Sequence, residues 1–301
     1  MWTHRILGLF GNQDISQHHA MTLGASGFLA MWQGEQETAL VQIQKSKEIV
    51  QRQEDEHMVP LLLLGNGVIL INMGRDSAAQ PLLQEAEALF KQQNSYFHVF
   101  TLVHLGNVEL GLGNPEQARA LHEEAETEAR TIGENWVLSF ALNNLGEVAR
   151  TQGQYKLART YYQECEVLLR DTGDKGDVAR FAHSLGYIAQ HEEDFELAES
   201  QFRKSLTMFR RLGNRRGMAE CMAGLAGLKA RQGNAEWGAV MLSAAESVLK
   251  VTGGAWWPAD RLEVEANQAL LRSALSEAEL AAAEKKGRAM TLEQALAFAS
   301  E

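Results

Sequence analysis

ALNNLGEVARTQGQYKLARTYYQECEVLLRDTGDK, residues 141–175, is the stretch whose reading decides the fold. Ala141 to Thr151 reads as a helix with one small residue, Gly146, at its middle, and Gln152-Gly153 breaks it. Tyr155 to Arg170 reads as a second helix, with small residues at Ala158 and Cys165 and an aromatic ring at Tyr162. Asp171-Thr172-Gly173-Asp174 breaks that one in turn. Most of the remaining chain is this unit again.

Self-similarity at a fixed interval of tens of residues is the signature of an array. The second-helix alanine returns as Ala39, Ala79, Ala118, Ala158 and Ala198 and then as Gly238, at intervals of 40, 39, 40, 40 and 40 residues. The small residue of the first helix returns as Gly27, Gly67, Gly106, Gly146, Gly186 and Ala226. A second small site in the second helix is Ser46, Ala86, Ala125, Cys165, Ser205 and Ala245. Between the helices stand Gly34, Gly74, Gly113, Gly153, Glu193 and Gly233; between units stand Gly133, Gly173, Gly213 and Gly253, with Glu54 and Asn94 in the first two. Glycine inside a helix costs about 1 kcal/mol relative to alanine, so its return at one helical site predicts that another helix crosses closely there. The turn glycines suit a left-handed C-cap. Asn214, Asn234 and Asn114-Pro115 add N-cap and first-turn chemistry. The period divides residues 20–255 into six units at about 20–55, 58–95, 97–133, 136–173, 176–213 and 216–253.

A unit of this kind resembles the tetratricopeptide repeat. Leu105-Gly106, Leu145-Gly146 and Leu185-Gly186 match its Leu-Gly pair, and Tyr162 and Phe202 match the second-helix aromatic. The usual repeat has 34 residues; the longer period here, and Ala149 where the repeat carries tyrosine, match the 40-residue subtype. The resemblance implies an all-α fold, a right-handed solenoid superhelix of helix–turn–helix repeats in which units touch only their neighbours.

Composition narrows the function. With 45% hydrophobic and 22% charged residues among 301, the chain has the balance of a soluble protein. A net charge of −11 opposes nonspecific contact with nucleic acid, which needs a basic footprint. Cys165 and Cys221 are the only cysteines; they offer no zinc spacing and read as buried free thiols, which fits a reducing cytoplasm. No apolar run is long enough to span a membrane. No Gly-x-Ser-x-Gly elbow, His-Glu-x-x-His pair or phosphate loop occurs, so neither a catalytic residue, a metal ligand nor a cofactor site is expected. Leu64-Gly65-Asn66-Gly67-Val68 has half of a dinucleotide fingerprint, but Gly67 belongs to the repeat register.

The ends depart from the period. Residues 1–19 are expected to be a partial repeat or N-terminal cap, because Phe10-Gly11-Asn12 matches Leu212-Gly213-Asn214; His18-His19 reads as an exposed pair. Pro81 predicts a kink or late start in the second helix of unit 2. The first helix of that unit, with Leu61, Leu64, Val68 and Ile71, is apolar all round and must be covered by something: the N-terminal segment, a second copy in a homodimer, or another domain. Residues 256–301 are expected to form C-terminal capping helices. One is opened by Trp256-Trp257-Pro258, one is capped by Ser276 and Glu279 and ended by Gly287, and one is capped by Thr291 and Gln294. The closing run Gly287-Arg288-Ala289-Met290-Thr291-Leu292-Glu293-Gln294 is similar to the end of the C-terminal arrays of bacterial LuxR-type, AfsR-type and related STAND regulators. Their nucleotide-binding and DNA-reading motifs have no counterpart here.

In tetratricopeptide arrays the first helices line the concave face. By register the resemblance puts Phe100, Val103, Asn107 and Leu110 of unit 3, Phe140, Asn143, Glu147 and Arg150 of unit 4, Arg180, His183, Tyr187 and Gln190 of unit 5, and Glu220 and Arg231 of unit 6 in the groove. Arg150 and Arg180 are suited to holding a carboxylate bidentately. The function expected is therefore a non-catalytic binding module, the sensor or interaction array of a bacterial regulator, taking a protein, a peptide or a small effector in its groove. The alternative is a structural adaptor that dimerises through Leu61, Leu64, Val68 and Ile71.

Overall fold

The computed structural model describes residues 15–52, 58–93, 95–172 and 175–300. Six antiparallel helix pairs follow one another: α1 (Ile15–Trp32) with α2 (Gln36–Arg52), α3 (Val59–Asn72) with α4 (Asp76–Gln92), α5 (Phe97–Gly111) with α6 (Pro115–Ile132), α7 (Asn135–Thr151) with α8 (Tyr155–Thr172), α9 (Lys175–His191) with α10 (Phe195–Leu212), and α11 (Arg215–Arg231) with α12 (Ala235–Thr252). Three further helices close the chain: α13 (Pro258–Ala274), α14 (Glu277–Arg288) and α15 (Leu292–Phe298). Each helix of the six pairs packs chiefly on its sequence neighbours, which makes the array an all-α solenoid. Phe10-Gly11-Asn12, and with it most of the expected partial repeat, lies outside the described residues, as does Gly173.

The recurring small residues have a direct cause. A Cβ on Gly146 would stand 2.4 Å from the Tyr162 ring, one on Gly106 would stand 2.4 Å from His122, one on Gly186 2.7 Å from Phe202, one on Gly67 2.6 Å from Leu83 and one on Gly27 2.8 Å from Ile43. In every case the second helix inserts its bulky residue into the notch the first helix leaves. The second small site ties the pair polarly. Ser46 Oγ donates to the Ala20 carbonyl at 2.6 Å, Ser205 Oγ to the Ala179 carbonyl at 2.6 Å, and Cys165 Sγ to the Ser139 carbonyl at 3.2 Å.

The turns carry the register as well. Gly34, Gly74, Gly113, Gly153 and Gly233 have φ between 70° and 88°, and Glu193, at the equivalent place in unit 5, has φ 62°. Asp194, Asn214 and Asn234 accept from the backbone N–H three residues on, whereas Asn114 does not cap and instead donates to Glu109 at 2.9 Å. The late start expected at Pro81 does not occur: α4 begins at Asp76 and continues through the proline. Pro81 and Ser77 are both exposed, so water can serve the Ser77 carbonyl that the proline leaves unpaired. Gly287 likewise does not end its helix. It lies within α14, where a Cβ would meet the Val240 carbonyl at 2.2 Å, so its smallness serves helix packing. Both expected capping boxes, Ser276 with Glu279 and Thr291 with Gln294, are formed.

Two features set up the concave side. The array curves until its first units meet its last: Arg216 of α11 donates to Asn72 at the end of α3, and the Ala255 N–H donates to the Asn72 carbonyl at 2.8 Å. Helices α14 and α15 stack on α12; α13 also touches α12 but turns inward onto the first helices α5, α7 and α11. The apolar helix α3 is covered by the chain itself. Leu64 and Ile71 are buried, Leu61 and Val68 half-buried, and Trp257 packs on the same cluster. This burial removes the reason to invoke a second copy over Leu61, Leu64, Val68 and Ile71.

Gly146→Ala is expected to cost about 1–3 kcal/mol by overpacking against Tyr162, and Glu193→Gly to add about 1 kcal/mol by relieving a left-handed non-glycine residue; urea midpoints check both.

Candidate protein-binding groove

The groove floor divides into a covered half and an open half. In the covered half Arg150, at 2% exposure, is among the largest fully buried side chains. Its guanidinium donates to Glu147 at 2.6 Å, to Asp260 at 2.6 Å and to Glu263 at 3.1 Å, and stacks over the Tyr187 ring at 4.8 Å. His183 Nε2 is 3.0 Å from the second Asp260 oxygen, His191 Nε2 is 2.8 Å from Glu263, and Ser184 donates to Glu147. Arg180 and Arg216 both pair with Glu220 and both lie over the Trp257 ring, at 4.9 and 5.1 Å. Further along, Arg261 pairs with Asp76 at 2.8 Å, and Asn267 accepts from Arg231 at 2.7 Å.

The electrostatics follow from burial opposed by partners. Burial works against the His183 cation, but the Asp260 carboxylate beside it overrides this and raises its pKa to about 10. Asp260 is driven the other way: burial opposes its charge, and His183 and Arg150 hold it well below the usual carboxylate range. Burial also opposes the Arg150 charge, and Glu147 and Asp260 outweigh it.

The open half is a pocket with about 510 Å³ of empty volume, its mouth included. Asn107, Phe140, Asn143, Asn144, Arg180 and Trp257 are among its walls, with His104 at its edge. Asn107 is 1% exposed, and neither its side-chain oxygen nor its nitrogen has a partner; both ring nitrogens of His104 are likewise buried and unpaired. Burial lowers the His104 pKa to about 4 and keeps the ring neutral. Phe100, Trp136 and Phe140 form an aromatic cluster with centroids 5.0–5.3 Å apart, and Phe100 also meets His104 edge-on at 4.6 Å. The half-buried Asn143 amide offers a neutral group both a donor and an acceptor at this pocket, beside an aromatic wall.

Of the groove residues expected from register, Phe100, Asn107, Phe140, Asn143 and Arg180 gather around the open pocket. Glu147, Arg150, His183, Tyr187 and Gln190 lie beneath the inward helix α13, so the open polar floor expected for units 4 and 5 is a buried one. Arg150 and Arg180 each already hold a carboxylate of this chain. Sequence reasoning missed Asp260, Glu263, His191 and His104. The first two stand one turn apart in a helix that the Trp257-Pro258 start makes legible, but no periodicity told that this helix turns inward.

Residues 99–170 match the family model for the tetratricopeptide repeat. The array is an all-α solenoid of tetratricopeptide-like helix pairs. No curated protein matches the chain in sequence. Among solved structures, the solenoid is similar to a Rap protein complexed with competence and sporulation factor, at TM-score 0.73 and 13% identity, covering 99% of this chain and 80% of that one. It is also similar to the Rap conjugation gene regulator of plasmid pLS20 in complex with the Phr* peptide, at TM-score 0.59 and 18% identity over 90% of this chain and 76% of that one. A third similarity is to a STAND protein with a tetratricopeptide-repeat sensor from Pyrococcus horikoshii, at TM-score 0.52 and 17% identity over 90% of this chain and 46% of that one. At these identities the likeness is one of fold. Among the described residues, no helix is long and apolar enough to cross a membrane, and no cluster of His, Cys, Asp and Glu is placed to hold a metal.

The buried charges of the solenoid make two outcomes testable. Arg150→Met leaves three carboxylates without their shared cation and is expected to cost about 3–5 kcal/mol in a urea titration. The second concerns pH. His104 and His122 stay neutral in the fold, held down to about 4 and about 3 chiefly by burial, while the unfolded chain protonates near 6.5; stability therefore falls as pH drops below 6.5. The raised His183 has the opposite sign: its contribution is complete below pH 6.5 and is lost as pH rises toward 10. Urea midpoints at pH 4.5, 6.5 and 9.5 are expected to peak at the middle value, with the alkaline loss reduced in His183→Gln.

Proposed function

We propose that the chain is a non-catalytic interaction module that takes an extended protein or peptide segment in the open half of its groove. The observation that carries this reading is a pocket walled by Phe140, Asn143 and Trp257, where the half-buried Asn143 amide is open to a ligand and the Asn107 amide lies buried and unpaired. A buried amide without a partner is costly. A peptide bond presents the complementary donor and acceptor in one plane, and the aromatic wall suits an apolar side chain next to it. The neutral His104 favours an uncharged group there over a carboxylate.

A regulatory setting is the one this reading favours, as the sensor or interaction array of a bacterial signalling protein. Support comes from the solved structures of similar fold, one complexed with competence and sporulation factor, one in complex with the Phr* peptide, and one a STAND protein. The similarity of the closing helices to LuxR-type and AfsR-type arrays points the same way. A small effector bearing an amide is the same chemistry on a smaller scale. Two buried free thiols agree with a cytoplasmic placement.

Selection from a random-peptide display library tests the proposal. Peptides enriched on the wild-type chain are expected to lose at least tenfold in affinity on Asn107→Ala and on Asn143→Ala. Enrichment that is equal on wild type and on both variants would sink it.

A further inference from the structure

We propose that the covered half of the groove is a second binding site, one that α13 fills in this structure, and that its external ligand is an acidic helical segment of a partner protein with two carboxylates one turn apart. The site shares Arg180 with the open pocket but rests on Arg150, His183 and His191, none of which lines that pocket, and it stands whether or not that pocket takes a peptide.

The contact between α13 and the array is ionic where contacts inside the repeats are apolar. Within units, whole rings such as Tyr162 and Phe202 are buried against their partner helix. From α13 the groove receives Asp260 and Glu263 on Arg150, His183 and His191, Arg261 on Asp76, and Asn267 on the Ala223 carbonyl at 3.3 Å. The apolar residues buried with them, Pro258, Ala259, Val264 and Leu271, include only one large side chain. Desolvation nearly cancels attraction in a buried ion pair. The helix is thus held by large opposed terms, and a segment bringing the same charges can replace it at small net cost.

The floor selects for carboxylates. With α13 set aside, Arg150 keeps Glu147, and Arg180 and Arg216 share Glu220, while His183 and His191 lose their Asp260 and Glu263 partners. This leaves three guanidinium groups facing two carboxylates, with two histidines open to an acidic partner, on a chain of net charge −11. Two acidic side chains three residues apart on a helix share a face and reach it together, as Asp260 and Glu263 do.

The fit of α13 is also incomplete. With the helix seated, both amide atoms of Gln190, the Tyr187 hydroxyl and one Arg216 nitrogen are buried without partners. A partner helix with polar side chains at those places gains pairings that α13 does not make, which supplies a drive for exchange. The chain permits the movement. Gly253-Gly254 precedes α13 and Leu275-Ser276 follows it. Beyond, α14 is fixed to α12 on its own account, through Gly287 against the Val240 carbonyl and Ser243 Oγ donating to the Glu284 carbonyl at 3.0 Å.

The test uses the full chain and, as probe, a fluorescein-labelled peptide of residues 255–274. The chain carrying Asp260→Asn with Glu263→Gln is expected to bind the peptide at least tenfold more tightly than wild type, and a peptide bearing the same two substitutions is expected to bind at least tenfold more weakly than the unsubstituted one. A cooperatively folded variant that binds neither peptide, or binds both equally, overturns the proposal. Should the variant not fold, amide exchange on the wild-type chain decides: residues 258–274 are expected to exchange at least tenfold faster than residues 235–252, and equal protection overturns it.

Discussion

Everything in this molecule depends on one steric constraint, the close crossing of two helices within each unit. Gly146 admits the Tyr162 ring, and Gly27, Gly67, Gly106 and Gly186 admit Ile43, Leu83, His122 and Phe202 in the same way. Because the notch recurs on one register, each unit has nearly the same internal geometry. Repeating one geometry produces a regular curve, and the curve brings units 1 and 2 round to unit 6, where Asn72 meets Arg216 and Ala255. The concave surface exists because the notches do.

What occupies that surface is decided by charge. Arg150 is fully buried among three carboxylates, two of them from α13, and the nearby His183 is held positive by Asp260. This cluster pins the C-terminal segment across the first helices of units 3 to 6. The helix thereby divides the concave face into an ionic half, already satisfied by the chain itself, and a neutral half with unpaired Asn107 and His104. The two halves favour different chemistry: carboxylates on the first, an amide on the second.

The register placed the floor residues of units 3 to 5 on one face, and they do share it, Asn107 and Asn143 in the pocket and Arg150, His183, Tyr187 and Gln190 beneath α13. It did not place Asp260 and Glu263 opposite them. An i, i+3 carboxylate pair looks the same on a solvated helix as on one that plugs a groove, and sequence distance of more than a hundred residues carries no trace of the pairing. Leu61, Leu64, Val68 and Ile71 misled in a related way. Their apolarity correctly required a cover, but the cover is the chain's own packing, with Trp257 on the groove side. Gly287 and Pro81 show the same limit locally: a residue type that usually ends or breaks a helix is tolerated where a neighbour needs room or water can take the orphaned carbonyl.

By itself, then, the sequence determined the repeat, the helix pairs, the turns and the residues of the concave face. These are set by local sterics and by a period, both of which can be read along the chain. Only the tertiary structure decided that the array closes on itself, that α13 runs inside it, and which floor residues stay free for a ligand. Those outcomes depend on charge pairs between distant segments, such as Arg150 with Asp260 and Glu263, whose balance of desolvation and attraction arises only once the curve has enclosed them.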